Sequence, residues 1–125
     1  MEEKKNNVCS GGPTMIFACS GAADVGQISD LAARKLMQDG CGQMFCLAGI
    51  GGKIEPIMQK TAAASKILAI DGCTLDCAKK TLQAAGFPNH VQYRITDLGM
   101  EKGKSPASAE NIIRAAAKGK ELLEN

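Results

Sequence analysis

The 125-residue sequence is poor in aromatic residues, with no Trp, one Tyr and three Phe. Proteins that bind single-stranded nucleic acid stack its bases on aromatic side chains, and few are present here. The 15 Lys and Arg residues are spread along the chain, and the formal net charge is only +2. The clustered positive surface that nucleic-acid binding requires is therefore also missing. We expect no nucleic-acid partner.

Long hydrophobic runs are missing as well. The apolar stretch at residues 15–18 is too short for a signal peptide or a membrane span, and the first seven residues are mostly charged or polar. We expect a cytoplasmic protein with no membrane partner.

Residues 1–12 are largely polar, which predicts a flexible N-terminal tail. Residues 13–125 are enough for one domain with its own core.

Hydrophobic patterns alternate between the two periods that are typical of strands and helices. This order of elements predicts an α/β fold: a single three-layer domain with a four-stranded parallel sheet and helices on both faces. We expect the strand order 2-1-3-4, with the half-exposed fourth strand at an edge. The predicted strands cover residues 14–18, 43–47, 66–70 and 91–95, and the predicted helices 25–38, 55–64, 73–85 and 108–123.

Cysteine, by contrast, is abundant, with six residues. Because the cytoplasm keeps thiols reduced, we interpret them as metal ligands or reactive thiols rather than as structural disulfides. Cys19 follows the first predicted strand, Cys46 lies near the end of the second, and Cys73 follows the third. The carboxyl ends of neighbouring parallel strands meet at one edge, about 4.8 Å apart. These three thiols are therefore expected to converge.

The fourth thiol of this group is Cys77, four residues after Cys73 on a predicted helix. Residues at this spacing share a helix face, so both thiols could point the same way. Zinc prefers four ligands in a tetrahedron, and thiolates are among its usual ligands. The sequence therefore predicts one zinc ion per chain, held by Cys19, Cys46, Cys73 and Cys77.

The segments that carry these cysteines resemble the DGC domain family, which takes its name from the tripeptide Asp71-Gly72-Cys73. The resemblance spans about residues 14–102 and rests on residues 18–21, 44–51, 70–82 and 96–99. It implies a DGC-type α/β domain over residues 13–125 in a zinc-binding family with no assigned biological role. By motif position, the chelating residues of the family fall on the same four cysteines.

Other polar residues near this edge leave alternatives open. Asp71 could cap the helix after the third strand, and Asp97 could form a turn or orient a group at the site. Ser20 could donate a hydrogen bond to a thiolate or form a turn. Three lysines could offset the charge of a zinc tetrathiolate: Lys53, Lys79 and Lys80.

Several remaining features receive simpler interpretations. The glycine-rich stretch 49–53 lacks the spacing of a P-loop and predicts a sharp turn. A phosphatase is excluded because the loop at residues 20–26, after Cys19, contains no Arg or Lys to hold a phosphate. Cys9 and Cys41 lie away from the predicted edge and are interpreted as incidental, and the single histidine, His90, as an exposed residue.

Three functions remain open at this point. The first is a protein that holds zinc as a structural, carrier or sensor site. The second is a thiol-dependent redox or sulfur-transfer enzyme, with Cys73 and Cys77 as a reactive pair beside a helix N-terminus, which favours thiolates. The third is an interaction scaffold whose cysteines are inert. Whether the protein is an enzyme, which proteins it binds and how it oligomerises stay open.

Overall fold

The computed structural model describes residues 13–124, in which a four-stranded parallel sheet lies between two layers of helices. The strand order is β2-β1-β3-β4, so the predicted α/β class, parallel pairing and strand order are confirmed. The predicted tail at residues 1–12 lies outside the described residues, and the domain bounds stay a prediction. In chain order the elements are β1 (Thr14–Ala18), α1 (Asp24–Gln38), β2 (Gln43–Met44), α2 (Leu47–Gly51), α3 (Glu55–Ala62), β3 (Lys66–Asp71), α4 (Cys77–Ala84), β4 (Val91–Arg94), a 3-10 helix (Ile95–Leu98) and α5 (Ala109–Leu123).

The two faces of the sheet bury alternate residues of the same strands, because successive side chains of a strand point to opposite faces. Ile16 and Ala18 of β1 pack with α1 and α5, whereas Met15 and Phe17 pack with Ile50 and the helices of the other layer. β1 and β3 are buried along almost their whole length. This explains why both read as continuous apolar runs.

The second strand differs from its prediction. It covers only Gln43–Met44, and the chain then enters the short helix α2 instead of continuing to residue 47 and a sharp turn. The physical reason lies in the apolar residues Leu47 and Ile50. They are three positions apart, so one helical turn directs both into the layer that contains Phe17.

The last helix and the fourth strand are joined by a buried hydrogen bond. The Tyr93 hydroxyl donates to the Ala115 carbonyl oxygen at 2.6 Å, and Tyr93 is only 4% exposed. Burial raises the pKa of Tyr93 well above its ordinary value of 10.0, because the phenolate would lose its hydration. This contact stabilises the neutral phenol.

Tyr93→Phe is expected to lower the free energy of unfolding by about 1 kcal/mol at neutral pH, since one buried hydrogen bond is lost. Above pH 10 the unfolded state of the wild type ionises Tyr93 while the folded state does not. Wild-type stability should therefore fall as the pH rises past 10, and the variant should lack this contribution. Urea unfolding of both proteins between pH 8 and 11 measures the difference; parallel curves would contradict the prediction.

Among residues 13–124, no helix has the length and apolar character that crossing a bilayer requires.

Candidate thiol site

Asp71 organises the carboxyl edge of the sheet. It ends β3, is fully buried, and accepts hydrogen bonds from the backbone N–H groups of Ala78 at 2.6 Å and Lys79 at 3.1 Å. These are orphan donors in the first turn of α4, so the capping role considered for Asp71 is the one that the structure has. A third hydrogen bond, at 3.0 Å, comes from the side-chain amide of Gln92 on β4.

The helix that Asp71 caps begins at Cys77, not at Cys73 as the sequence pattern predicts. Residues 73–76 instead form a turn, in which the Asp76 N–H donates to the Cys73 carbonyl oxygen at 3.2 Å. Asp76 takes the left-handed conformation, with φ 56° and ψ 45°. The prediction that Cys73 and Cys77 share one helix face is therefore wrong, because only Cys77 is helical.

Three of the four candidate cysteines nevertheless lie on neighbouring segments, after the ends of β1 and β3. Cys19 continues the strand pairing of β1, since its N–H donates to the Ile70 carbonyl oxygen at 2.9 Å. The pKa of Cys77 is raised by partial burial first, then by negative charge at Cys19, Asp71 and Cys73, and by a hydrogen bond with the Cys19 thiol. Desolvation and negative neighbours both disfavour the charged form, so the expected preference for a Cys77 thiolate is not found.

The fourth thiol, Cys46, is exposed and lies at the N-cap position of α2. It opens onto a groove of about 550 Å³ between α1 and the segment 44–48. The structure therefore places Cys46 just beyond the end of β2, beside this groove.

Zinc fits the chemistry of these donors, since free thiols of Cys19, Cys46, Cys73 and Cys77 are the ligand type that tetrahedral zinc sites use. Within residues 13–124, however, no three or more His, Cys, Asp or Glu side chains are arranged as a metal-binding group. A zinc site would therefore need these side chains to turn toward one another. Cys46 and Cys77 are exposed, so their rotation meets little packing resistance.

A lysine that the sequence analysis missed lies beside the thiols. The Lys102 ammonium is 3.8 Å from the Cys73 sulfur. The loop that carries it is tied to the start of α1, because the Asp24 carboxylate accepts hydrogen bonds from the N–H groups of Gly103 at 2.8 Å and Ser105 at 3.0 Å. Those hydrogen bonds keep the pKa of Asp24 below its usual value. Lys102 and Cys73 are 29 residues apart, so no local sequence motif indicates their contact.

The other residues considered at this edge have structural partners. Ser20 donates a hydrogen bond to Asp30 at 2.8 Å, so neither alternative proposed for it is observed. Asp97 caps the 3-10 helix through the N–H of Arg94, at 3.2 Å, which favours its turn role. Of the three lysines expected to offset thiolate charge, Lys79 helps to lower the pKa of Asp76 through its positive charge.

The loops that carry Cys19 and Cys73 approach α1 closely. A Cβ added at Gly26 would lie 2.7 Å from the Gly21 carbonyl oxygen, and one at Gly72 would lie 3.1 Å from the Gly26 nitrogen. Both obstacles are backbone atoms, which cannot move aside as a flexible side chain can. The absence of side chains at Gly26 and Gly72 therefore lets the two loops meet at the start of α1.

Gly26→Ala is expected to destabilise the protein by about 1–3 kcal/mol, because the new methyl group overlaps the Gly21 backbone. It should also speed the labelling of Cys19 by thiol reagents, since the loop at residues 19–21 is displaced. Gly51→Ala is the matched control: its Cβ meets nothing nearer than 3.9 Å, and alanine favours a helix. Urea unfolding and labelling rates measure both effects; equal stability of the two variants would contradict this packing role.

Comparison with known proteins agrees with this architecture. The sequence profile of the DGC domain matches residues 15–118 of the chain. The chain belongs to the DGC domain family. It is also 30% identical over 88 residues to the anaerobic and virulence modulator AnvM of Pseudomonas aeruginosa strain PAO1, a match that covers 70% of this chain and 67% of AnvM. No solved structure matches the sequence significantly.

Within the described part of this DGC domain, Cys41 and the histidine lie away from the thiol site. Cys41 is 1% exposed and belongs to the core around α1, consistent with its interpretation as incidental. Cys9 lies outside the described residues. His90 is half-buried rather than exposed, and its Nδ1 lies 2.8 Å from the Phe87 carbonyl oxygen. The DGC domain is thus a cysteine-rich domain in which Cys19, Cys46 and Cys73 follow the carboxyl ends of three parallel strands.

Proposed function

We propose that this DGC protein binds one zinc ion through the thiolates of Cys19, Cys46, Cys73 and Cys77. The observation that carries the proposal is the pairing of β1 with β3, which places Cys19 beside the end of β3 that leads to Cys73 and Cys77, since the Cys19 N–H donates to the Ile70 carbonyl oxygen at 2.9 Å. Zinc would relieve the mutual repulsion of these cysteines, because thiolates that repel one another are neutralised by a shared divalent cation. The zinc would serve a structural, carrier or sensor role.

The charges around the thiols support this proposal. A zinc ion with four thiolates carries a net charge of −2, and the Lys102 ammonium beside Cys73 would offset part of it. The cytoplasm is the compartment that we propose, since its reducing conditions keep such thiols free. Nucleic acid and membranes are not proposed as partners. The relative AnvM is named as a modulator, which favours a sensor among the three roles.

Anaerobic purification tests the proposal. Metals would be measured by mass spectrometry, and free thiols counted before and after addition of a chelator. We expect about one zinc per chain and about four thiols that react only after chelation. Protein without metal, with all its thiols reactive from the start, would contradict the proposal.

A thiol-dependent redox enzyme is the second candidate, and one observation favours it. Cys73 and Cys77 lie at the two ends of one turn, in which the Asp76 N–H donates to the Cys73 carbonyl oxygen at 3.2 Å, so the chain holds these two thiols near each other, as a disulfide requires; Cys19 is the alternative partner of Cys77. In that reaction the two thiols lose two protons and two electrons, and a small disulfide oxidant is reduced to two thiols. Titration with oxidised glutathione, followed by disulfide mapping, distinguishes the pairs.

A further inference from the structure

Asp76 is an unusual residue within the turn that joins Cys73 to Cys77. It is one of two non-glycine residues with positive φ among residues 13–124, and it is only 7% exposed. Left-handed backbone at a non-glycine residue persists only where the surroundings enforce it. A carboxylate that is buried in such a turn also requires compensation for its lost hydration.

Two side chains of β4 supply that compensation. Arg94 donates to both carboxylate oxygens of Asp76, from Nε at 2.7 Å and from a terminal guanidinium nitrogen at 2.9 Å. The side-chain amide of Gln92 donates to Asp76 at 2.9 Å and to Asp71 at 3.0 Å. Asp76 thus accepts three hydrogen bonds from side chains of β4.

These contacts determine where the turn lies. Asp71 holds the first turn of α4 and Asp76 ends the turn that leads into it, and Gln92 joins the two carboxylates. Gln92 and Arg94 are two residues apart on β4, so both point to the same face of the sheet. Asp71 and Asp76, which flank Cys73, are thereby both held by β4, an edge strand that carries no cysteine.

We infer that Arg94 and Gln92 are positioning residues that fix, through Asp76, the spacing between the Cys73 and Cys77 thiols required for metal binding. The inference rests on the proposed zinc site. Partners of metal ligands that make no contact with the metal commonly change affinity by 10- to 100-fold when they are replaced. A bidentate Arg–carboxylate pair also fixes direction, which a single charged contact does not.

The test compares metal binding by the full-length wild type with that of Arg94→Ala, Arg94→Lys and Asp76→Asn. Asparagine tolerates the left-handed backbone, so Asp76→Asn removes the charge and preserves the turn. Zinc affinity would be measured by competition with a chromogenic chelator, and thiolate ligation by the charge-transfer absorption of Co²⁺. Circular dichroism would verify folding, and Lys35→Ala, which removes the exposed pair with Asp39, is the control.

We expect Arg94→Ala and Asp76→Asn to weaken zinc binding at least about tenfold and to reduce the Co²⁺–thiolate absorption, while Lys35→Ala matches the wild type. Arg94→Lys should recover part of the affinity, because it keeps the charge but not the bidentate geometry. Wild-type affinity in folded Arg94→Ala and Asp76→Asn would overturn the positioning role and leave the zinc site standing. A wild type that binds neither metal would overturn the proposed function itself, and the inference with it.

Discussion

Replacing Cys77 with serine is expected to weaken zinc binding by about a hundredfold. Zinc sites built from thiolates bind the metal with about 10–16 kcal/mol, so each of four ligands contributes about 3 kcal/mol, and 1.4 kcal/mol corresponds to tenfold in affinity. Cys77 begins α4, directly after the turn that starts at Cys73, so it lies within the proposed site. Competition with a chromogenic chelator measures the affinity.

Measuring the zinc affinity of serine variants of the other three cysteines shows whether the zinc has four thiolate ligands or three. Cys19→Ser and Cys73→Ser should match Cys77→Ser, and Cys46→Ser should match them only if Cys46 turns toward the other thiols when zinc binds. Cys41→Ala is the control, because Cys41 is buried in the core around α1. Unchanged zinc affinity in all four single variants would contradict the thiolate site.

Asp71→Ala is expected to lower the free energy of unfolding by about 3 kcal/mol or more. The carboxylate is fully buried and accepts hydrogen bonds from Ala78 N–H, Lys79 N–H and the Gln92 amide. Alanine would leave buried donors unpaired, at about 1–3 kcal/mol each, and would remove the cap of α4. Chemical denaturation of the wild type and the variant measures the difference.

Asp97→Ala is the matched control for that experiment. Asp97 also caps a helix, but its side chain is 51% exposed, so water can replace it as the partner of the Arg94 N–H. Its loss should lower the free energy of unfolding by less than about 1 kcal/mol. Similar losses for Asp71→Ala and Asp97→Ala would show that burial of the Asp71 cap contributes little to stability.

The sheet could be predicted from the sequence because its signals are local. The continuous apolar runs at residues 14–18 and 66–70 require strands buried on both faces, and the helical periods between them require parallel crossovers. The end of β2 could not be predicted in this way. A short apolar stretch around Leu47 fits a strand or a helix equally well, and packing against Phe17 decides between them.

The candidate site could be predicted in position but not in detail. Strand ends determine the edge at which Cys19, Cys46 and Cys73 lie. The start of α4 depends on the long-range cap from Asp71 to Ala78, which a helical pattern beginning at Cys73 does not reveal. Arg94 and Lys102 were missed because their contacts cross between distant segments, although the two-residue spacing of Gln92 and Arg94 does place both on one face of β4.

X-ray absorption at the zinc edge, on protein purified anaerobically with its metal, tests the central claim most directly. Four sulfur neighbours at about 2.3 Å would be the result that a site of Cys19, Cys46, Cys73 and Cys77 requires. A zinc shell composed mainly of oxygen and nitrogen at about 2.0–2.2 Å would contradict it.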